Sequence, residues 1–207
     1  MTATYSPDSA RPTFPSETRG LNVIPMAIMS AWLGPLLMFW LYVWGPLRPF
    51  RYPSGDLFPS LPAFLGLLAA GLAVWWLPPW YYRVRAFERD GRIYEWLGIR
   101  LFRWFVPDGD LANKWRRRHD PAFRIIRNRR DALAFLRRTE LSEKSHLVVL
   151  VLGTLSAAFA WTIGWPGWAA YLMIGNVLVN CYPVLLQRYT RARILRACRV
   201  SPSTRMS

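Results

Sequence analysis

Four long apolar runs alternate with arginine-rich stretches along this chain. The runs cover residues 23–44, 58–77, 147–165 and 168–186. Each is close to the roughly 20 residues that a helix needs to cross the hydrocarbon core of a bilayer. The pattern therefore predicts an all-α integral membrane protein with about four transmembrane helices.

Prolines and aromatic residues mark the ends of these runs. The second run ends in Trp75-Trp76-Leu77-Pro78-Pro79-Trp80-Tyr81-Tyr82, and rings of this kind favour the membrane–water interface. Only Pro166-Gly167 separates the last two runs, which predicts a tight antiparallel hairpin. Pro183 has no N–H group, so it frees the carbonyl of Val179 within the fourth run.

The spacing of the runs divides the chain into five regions. We expect a disordered tail at 1–20, two transmembrane helices within 21–82, a basic region at 83–145, a transmembrane hairpin at 146–187 and a basic tail at 188–207. The region at 83–145 holds 17 of the 27 basic residues, with aromatic and aliphatic residues threaded between them. This mixture predicts a long amphipathic, interfacial cytoplasmic region between spans 2 and 3, with Arg100 and Arg103 on its wet side.

Composition narrows the class of protein further. The net charge is +15, yet 53% of the residues are hydrophobic and 12 are Trp, which is unusual for a soluble domain. The charge lies beside the apolar runs, which argues against a nucleic-acid partner. By the positive-inside rule, we expect the arginine-rich side of this cell-membrane protein to face the cytoplasm, with both termini on that side. Two cysteines and two histidines give no structural disulfide or metal site of recognisable spacing.

The boundary between the basic region and the third run carries the first candidate chemistry. Glu143 and His146 are three residues apart and share a face of a continuous helix, at the depth of the lipid headgroups. A histidine at this position is either a solvated cap or anchor, or a group that exchanges protons. His119 stands among arginines, which favours a surface position.

The fourth run carries a second set of polar residues, and each member has two interpretations. Asn176, Asn180 and Gln187 fall on one stripe of a helix, either for hydrogen bonds between helices or as the lining of a site. Arg188 and Arg191 follow at its cytoplasmic end. They suit either an electrostatic anchor to anionic lipid or, with Gln187, the binding of a phosphate or carboxyl group.

Three separated patches resemble one known family in the same order. They are Phe87-Glu88…Gly91 with the aromatic–basic run to Asp108-Gly109, Thr139…Glu143…His146, and Asn180-Cys-Tyr-Pro183 with Gln187-Arg-Tyr-Thr-Arg-Ala-Arg193. This combination is similar to the glycosyl-4,4'-diaponeurosporenoate acyltransferase family. The resemblance covers roughly residues 87–195 and implies a membrane acyltransferase of carotenoid biosynthesis, which esterifies the sugar of a glycosylated carotenoid or similar glycolipid with a fatty acyl group.

The resemblance suggests roles for the candidate residues. His146 would be the general base, Glu143 would orient its ring, and Asn180 would donate to the oxyanion. Acyl-CoA or another acyl thioester would be the co-substrate, with no further cofactor, and membrane lipid and the apolar glycosylated acceptor would be the partners. The substrate-binding residues would be Arg188 and Arg191 for the donor phosphates, together with Asn176, Gln187 and Tyr189.

Two other functions remain compatible with these residues. One is a non-catalytic membrane subunit, which would bury the amides against a neighbouring helix and leave His146 facing water. The other is a different transferase, such as a methyltransferase, although the chain has no visible nucleotide-binding pattern.

Overall fold

A computed structural model describes residues 19–44, 61–106, 109–126 and 128–198, and every regular element in these ranges is helical. The α-helices are α1 (Arg19–Trp44), α2 (Leu61–Ala73), α3 (Arg92–Trp96), α4 (Ile99–Phe105), α5 (Asp110–His119), α6 (Arg129–Thr162), α7 (Pro166–Asn176) and α8 (Tyr182–Cys198). Short 3₁₀ turns follow α2 at Val74–Trp76, Pro79–Tyr82 and Ala86–Glu88. A π-helical segment at Val177–Cys181 joins α7 to α8.

Helix α6 is the axis of the fold. Its 34 residues correspond to a length of about 50 Å, so one helix runs from the basic region through the third apolar run. Asn128 caps its start by accepting a hydrogen bond from the backbone N–H of Asp131 at 2.9 Å. Helices α2, α7 and α8 all pack against α6. Helix α6 therefore holds the helices of the apolar runs and the arginine-bearing helix α8 together.

A hairpin joins α6 to α7. Gly164 adopts φ +77°, a left-handed conformation that ends α6, and Pro166 occupies the first turn of α7, where its missing N–H is not needed. Helix α1 packs on α7 through Trp32, whose indole N–H donates to the carbonyl of Leu172 at 3.0 Å. A Cβ atom on Gly175 would lie 1.9 Å from the Trp32 ring, so this contact requires glycine.

Three helical segments are long and apolar enough to cross a membrane. They lie at Met26–Val43, Arg129–Thr162 and Pro166–Ala197. Large apolar side chains such as Leu37 and Ile174 point outward from them. Outward-facing apolar side chains on helices of this length suit a lipid environment, and these segments make the chain a helical membrane protein.

The second apolar run does not reach the predicted length among the described residues. Helix α2 has 13 residues, and Leu65–Trp76 forms only a shorter apolar helix. Thirteen helical residues extend about 20 Å, less than the roughly 30 Å of a bilayer core. The expected count of four spans is thus not confirmed. The start of this run at 58–60 and the chain end at 199–207 lie outside the described residues. So does the tail predicted at 1–20, except for Arg19 and Gly20, which begin α1.

The basic region folds into the short helices α3, α4 and α5. Gly91 and Gly98, both at positive φ, immediately precede α3 and α4. The side chains of Trp96, Leu101 and Phe105 in this region are exposed. Arg100 is exposed and pairs with Glu95 at 2.7 Å. Arg103, which was also predicted to face water, is partly buried and forms an ion pair with Asp110.

Candidate active site

A buried carboxylate, Glu143, lies at the contact between α6 and α8. Its side chain is fully buried, and its two oxygens bind two different arginines of α8. Arg188 donates from Nε to Oε1 at 2.9 Å, and Arg191 donates from Nη2 to Oε2. Two guanidinium groups around one carboxylate compensate the cost of removing its charge from water.

A second carboxylate, Glu88, extends this network into the basic region. Arg188 donates from Nη1 to Glu88 Oε1 at 2.6 Å and from Nη2 to the carbonyl of Tyr81 at 2.8 Å. Tyr94 donates its hydroxyl to the same Glu88 oxygen at 2.5 Å, and the backbone N–H of Arg85 donates to the other at 2.6 Å. Arg188 thus contacts Glu143, which precedes it by 45 residues, and Glu88, which precedes it by 100 residues.

The hydrogen bonds around Glu88 predict that the stability of the folded protein depends on pH. Burial opposes ionisation, but hydrogen bonds from the Arg85 N–H, the Tyr94 hydroxyl and Arg188 outweigh it and hold the pKa of Glu88 below its ordinary 4.5. Since this pKa is lower in the folded than in the unfolded chain, Glu88 stabilises the fold above about pH 4.5, and the contribution is lost as the pH falls through the folded-state pKa.

The melting temperature of detergent-solubilised protein, compared with that of Glu88→Gln, measures this contribution. We expect the gap between the two proteins to be widest near neutral pH and to shrink below about pH 4.5. A gap that stays constant as the pH is lowered would contradict the ionised state of Glu88.

Residues of the network have partners that differ from those predicted from the sequence. Glu143 does not orient His146, because both of its oxygens bind arginines. Arg188, which was predicted to bind a phosphate, donates from its Nε, Nη1 and Nη2 to protein acceptors. Arg191 is 2% exposed, which closes it to a soluble phosphate. Both arginines hold the interior together.

His146 belongs to a separate chain of hydrogen bonds between α6 and the π-helical segment. Its Nδ1 lies 3.3 Å from Oδ1 of Asn180, whose amide nitrogen donates to Oδ1 of Asn176 at 2.8 Å. Asn176 then donates to the carbonyl of Leu150 at 2.8 Å and to the hydroxyl of Thr154 at 3.1 Å. The chain thus runs from a half-buried imidazole into the core between α6 and α7.

The direction of this chain defines the form of the imidazole. Because Asn180 presents its carbonyl oxygen to His146, Nδ1 carries the proton. The neutral ring then has its lone pair on Nε2, the atom that would accept a proton in general-base catalysis. Val179 precedes Asn180 in the π-helical segment, and Pro183 has no N–H group to donate to its carbonyl.

The two asparagines differ from their predicted roles. Asn180 is 2% exposed and uses its oxygen for His146 and its amide for Asn176, so it positions the imidazole and is not placed as an oxyanion donor. Asn176 is fully buried and binds groups of α6, as the helix-packing alternative expects. Gly153 permits this close approach, since a Cβ there would lie 2.7 Å from the Asn176 side chain.

The other residues predicted to bind substrate lie in different parts of the structure. Tyr189 is 3% exposed, donates its hydroxyl to Glu95 at 2.9 Å and packs beside Gly91. Gln187 instead lines a cavity between α4, α5, α6 and α8. His119 is exposed and stacks on Trp115 at a ring-centroid distance of 4.2 Å.

Sequence reasoning assigned no role to Glu88, Tyr94 or the carbonyl of Tyr81. Glu88 stands within one of the patches that carry the family resemblance, which was the available signal. Its partner Arg188 is 100 residues away, and neither helical periodicity nor spacing can pair residues over that distance.

The fold and this arrangement define a helical membrane protein with a half-buried histidine at the boundary between its basic and apolar parts. The chain belongs to the glycosyl-4,4'-diaponeurosporenoate acyltransferase (CrtO) family, whose model matches residues 78–200. The match includes Glu88, Glu143, His146, Asn180 and Arg188. No curated protein and no solved structure matches the chain.

Proposed function

We propose that this protein transfers a fatty acyl group from a thioester donor to a sugar hydroxyl of a glycosylated carotenoid or similar glycolipid. The observation that carries the proposal is the placement of His146. Its Nδ1 is held by Asn180, its Nε2 is left with a lone pair, and it stands where the basic region meets the apolar hairpin. Family membership, by the acyltransferase description of the matching model, supports the reaction class.

The proposed step balances with His146 as the proton carrier. Nε2 accepts the proton of the sugar hydroxyl while that oxygen forms a bond to the acyl carbonyl carbon. The carbon–sulfur bond of the thioester then breaks, and the thiolate takes the proton from the imidazolium. Asn180 holds the ring in the tautomer that this sequence requires. The products are an ester and a free thiol, with no oxidant or reductant involved.

The apolar surface of the protein suits the acceptor in this proposal. The three span-length helices would place His146 near the headgroup level, where a sugar joined to a long apolar chain also resides. We further propose a multi-pass protein of the cell membrane with cytoplasmic termini, because the described basic helices α3–α5 and the arginines of α8 lie at the same end of α6.

Reconstitution tests the proposal directly. Full-length protein in lipid nanodiscs is incubated with a long-chain acyl-CoA and a glycosylated carotenoid acid, and extracted lipids are measured by mass spectrometry. We expect an acylated glycoside and an equal amount of free thiol. The same carotenoid acid without its sugar is the matched control and is expected to give no product.

Absence of product with both donor and acceptor present would contradict the proposed function. In that case the burial of Asn176 and Asn180 against neighbouring helical groups would favour the alternative of a non-catalytic membrane subunit. Hydrolysis of the donor without transfer to the sugar would contradict the proposed acceptor.

A further inference from the structure

A cavity of about 540 Å³ lies between α4, α5, α6 and α8, beside the buried network. Its volume falls within the usual range of small-ligand sites. Three arginines line it, Arg103 from α4, Arg138 from α6 and Arg193 from α8, and none of the described lining residues is acidic. Positive side chains from three helices thus converge on one space.

Each of these arginines also has a partner within the protein. Arg103 is paired with Asp110, and the guanidinium of Arg193 lies 5.6 Å from the centroid of the Tyr189 ring. The three arginines and Asp110 have a summed formal charge of +2, and Arg138 has a further contact of its own within the protein. Arg188 and Arg191, by contrast, have no net charge to offer a ligand, because Glu88 and Glu143 balance them.

Along α6, the lining of the cavity extends toward His146. Ser142 lines the cavity and precedes His146 by four residues of α6, which places the two side chains on the same face about 6 Å apart along the helix axis. Gln187 lines the cavity from α8. A ligand whose charged end lies among the arginines would therefore have its uncharged part directed along α6 toward the imidazole.

We propose that this cavity binds the phosphate-bearing head of the acyl donor through Arg103, Arg138 and Arg193. The inference rests on the proposed function. Guanidinium groups bind phosphate oxygens through paired, charge-assisted hydrogen bonds, and three of them suit a head with more than one phosphate oxygen to bind. Phosphate is shared by two sources of acyl groups, a soluble nucleotide thioester and a membrane phospholipid, and the three arginines of the cavity suit the phosphate of either.

Binding of coenzyme A to full-length protein in phosphatidylcholine nanodiscs, followed by calorimetry, tests the inference. We expect Arg138→Gln and Arg193→Gln each to weaken the Kd about tenfold, the loss typical of one charge-assisted hydrogen bond. Arg137→Gln is the matched control, because Arg137 is an exposed neighbour on α6 that does not line the cavity. It is expected to change the Kd less than about twofold. Pantetheine, which lacks phosphate, is expected to bind all variants equally.

The second arm uses phosphatidylglycerol added to the nanodiscs and bound lipid counted by native mass spectrometry. Lipid retention that is lost in Arg138→Gln and kept in Arg137→Gln, with no binding of coenzyme A, would assign the site to a phospholipid donor. Equal losses in Arg137→Gln and Arg138→Gln for both probes would overturn the inference, because they would show general attraction by a basic surface.

Acyl transfer separates this inference from the proposed function. If the wild type forms product and the KM for the donor is unchanged in Arg138→Gln and Arg193→Gln, the inference fails and the function stands. If these variants lose binding of coenzyme A but the wild type forms no product, the phosphate site stands and the proposed reaction fails.

Discussion

Replacing Glu143 with glutamine is expected to lower the free energy of unfolding by about 3–5 kcal/mol, the usual cost of removing one partner from a buried ion pair. The variant keeps the size of the side chain but leaves Arg191 without its carboxylate and Arg188 with Glu88 alone. Because Arg191 is only 2% exposed, its guanidinium group cannot replace the lost interaction with hydrogen bonds to water. Chemical unfolding in detergent micelles measures the difference.

Glu140→Gln is the matched control for this prediction. Glu140 precedes Glu143 by three residues on α6 and pairs with Lys144 at 3.4 Å, but both side chains retain solvent contact. A partly exposed pair of this kind contributes about 0.5 kcal/mol or less. Equal effects of the two substitutions would show that the buried network does not stabilise the fold, and the role given to Arg188 and Arg191 would have to be abandoned.

The sequence predicted the helical part of the fold well because hydrophobic runs and span lengths are local properties. The count of four spans was not confirmed at the second apolar run, where Pro59 precedes a described helix of only 13 residues and Pro62 lies in its first turn. This helix gives way to short 3₁₀ turns on either side of Pro78, and counting apolar residues alone does not include the limits that proline sets on a helix.

The candidate site was harder to predict, because its hydrogen bonds connect distant parts of the chain. Glu143 and His146 were expected to act together since they are one turn apart on α6. In the structure they share the helix but not their partners, which are arginines of α8 for the carboxylate and Asn180 for the imidazole. Helical spacing shows which residues share a face, whereas the neighbouring helix decides what each of them binds.

This separation gives the two groups of residues different experimental signatures. Loss of Glu88 or Glu143 is expected to act first on stability, since their partners are structural arginines. Loss of His146 removes a half-buried side chain with one weak contact to Asn180 at 3.3 Å, so its effect on folding is expected to be small. Activity and stability measured together therefore distinguish the network from the proposed catalytic group.

His146→Ala is expected to lower kcat for acyl transfer by about 10²–10⁴-fold, the usual contribution of a general base, with little change in melting temperature. The variant has no Nε2 to accept the hydroxyl proton, while the ion pairs around Glu143 remain. Added imidazole is expected to restore part of the rate, because the cavity left by the ring can accept a free base. Product formation by mass spectrometry at matched protein levels provides the measurement.

His119→Ala controls for the loss of a histidine outside the proposed site, because His119 is exposed and contacts Trp115 of its own helix. It is expected to retain wild-type kcat. An unchanged kcat in His146→Ala would remove this residue from the chemistry, even if the protein proved to be an acyltransferase. A loss of activity that imidazole does not restore, together with a lower melting temperature, would instead assign His146 a structural role at the contact between α6 and the π-helical segment.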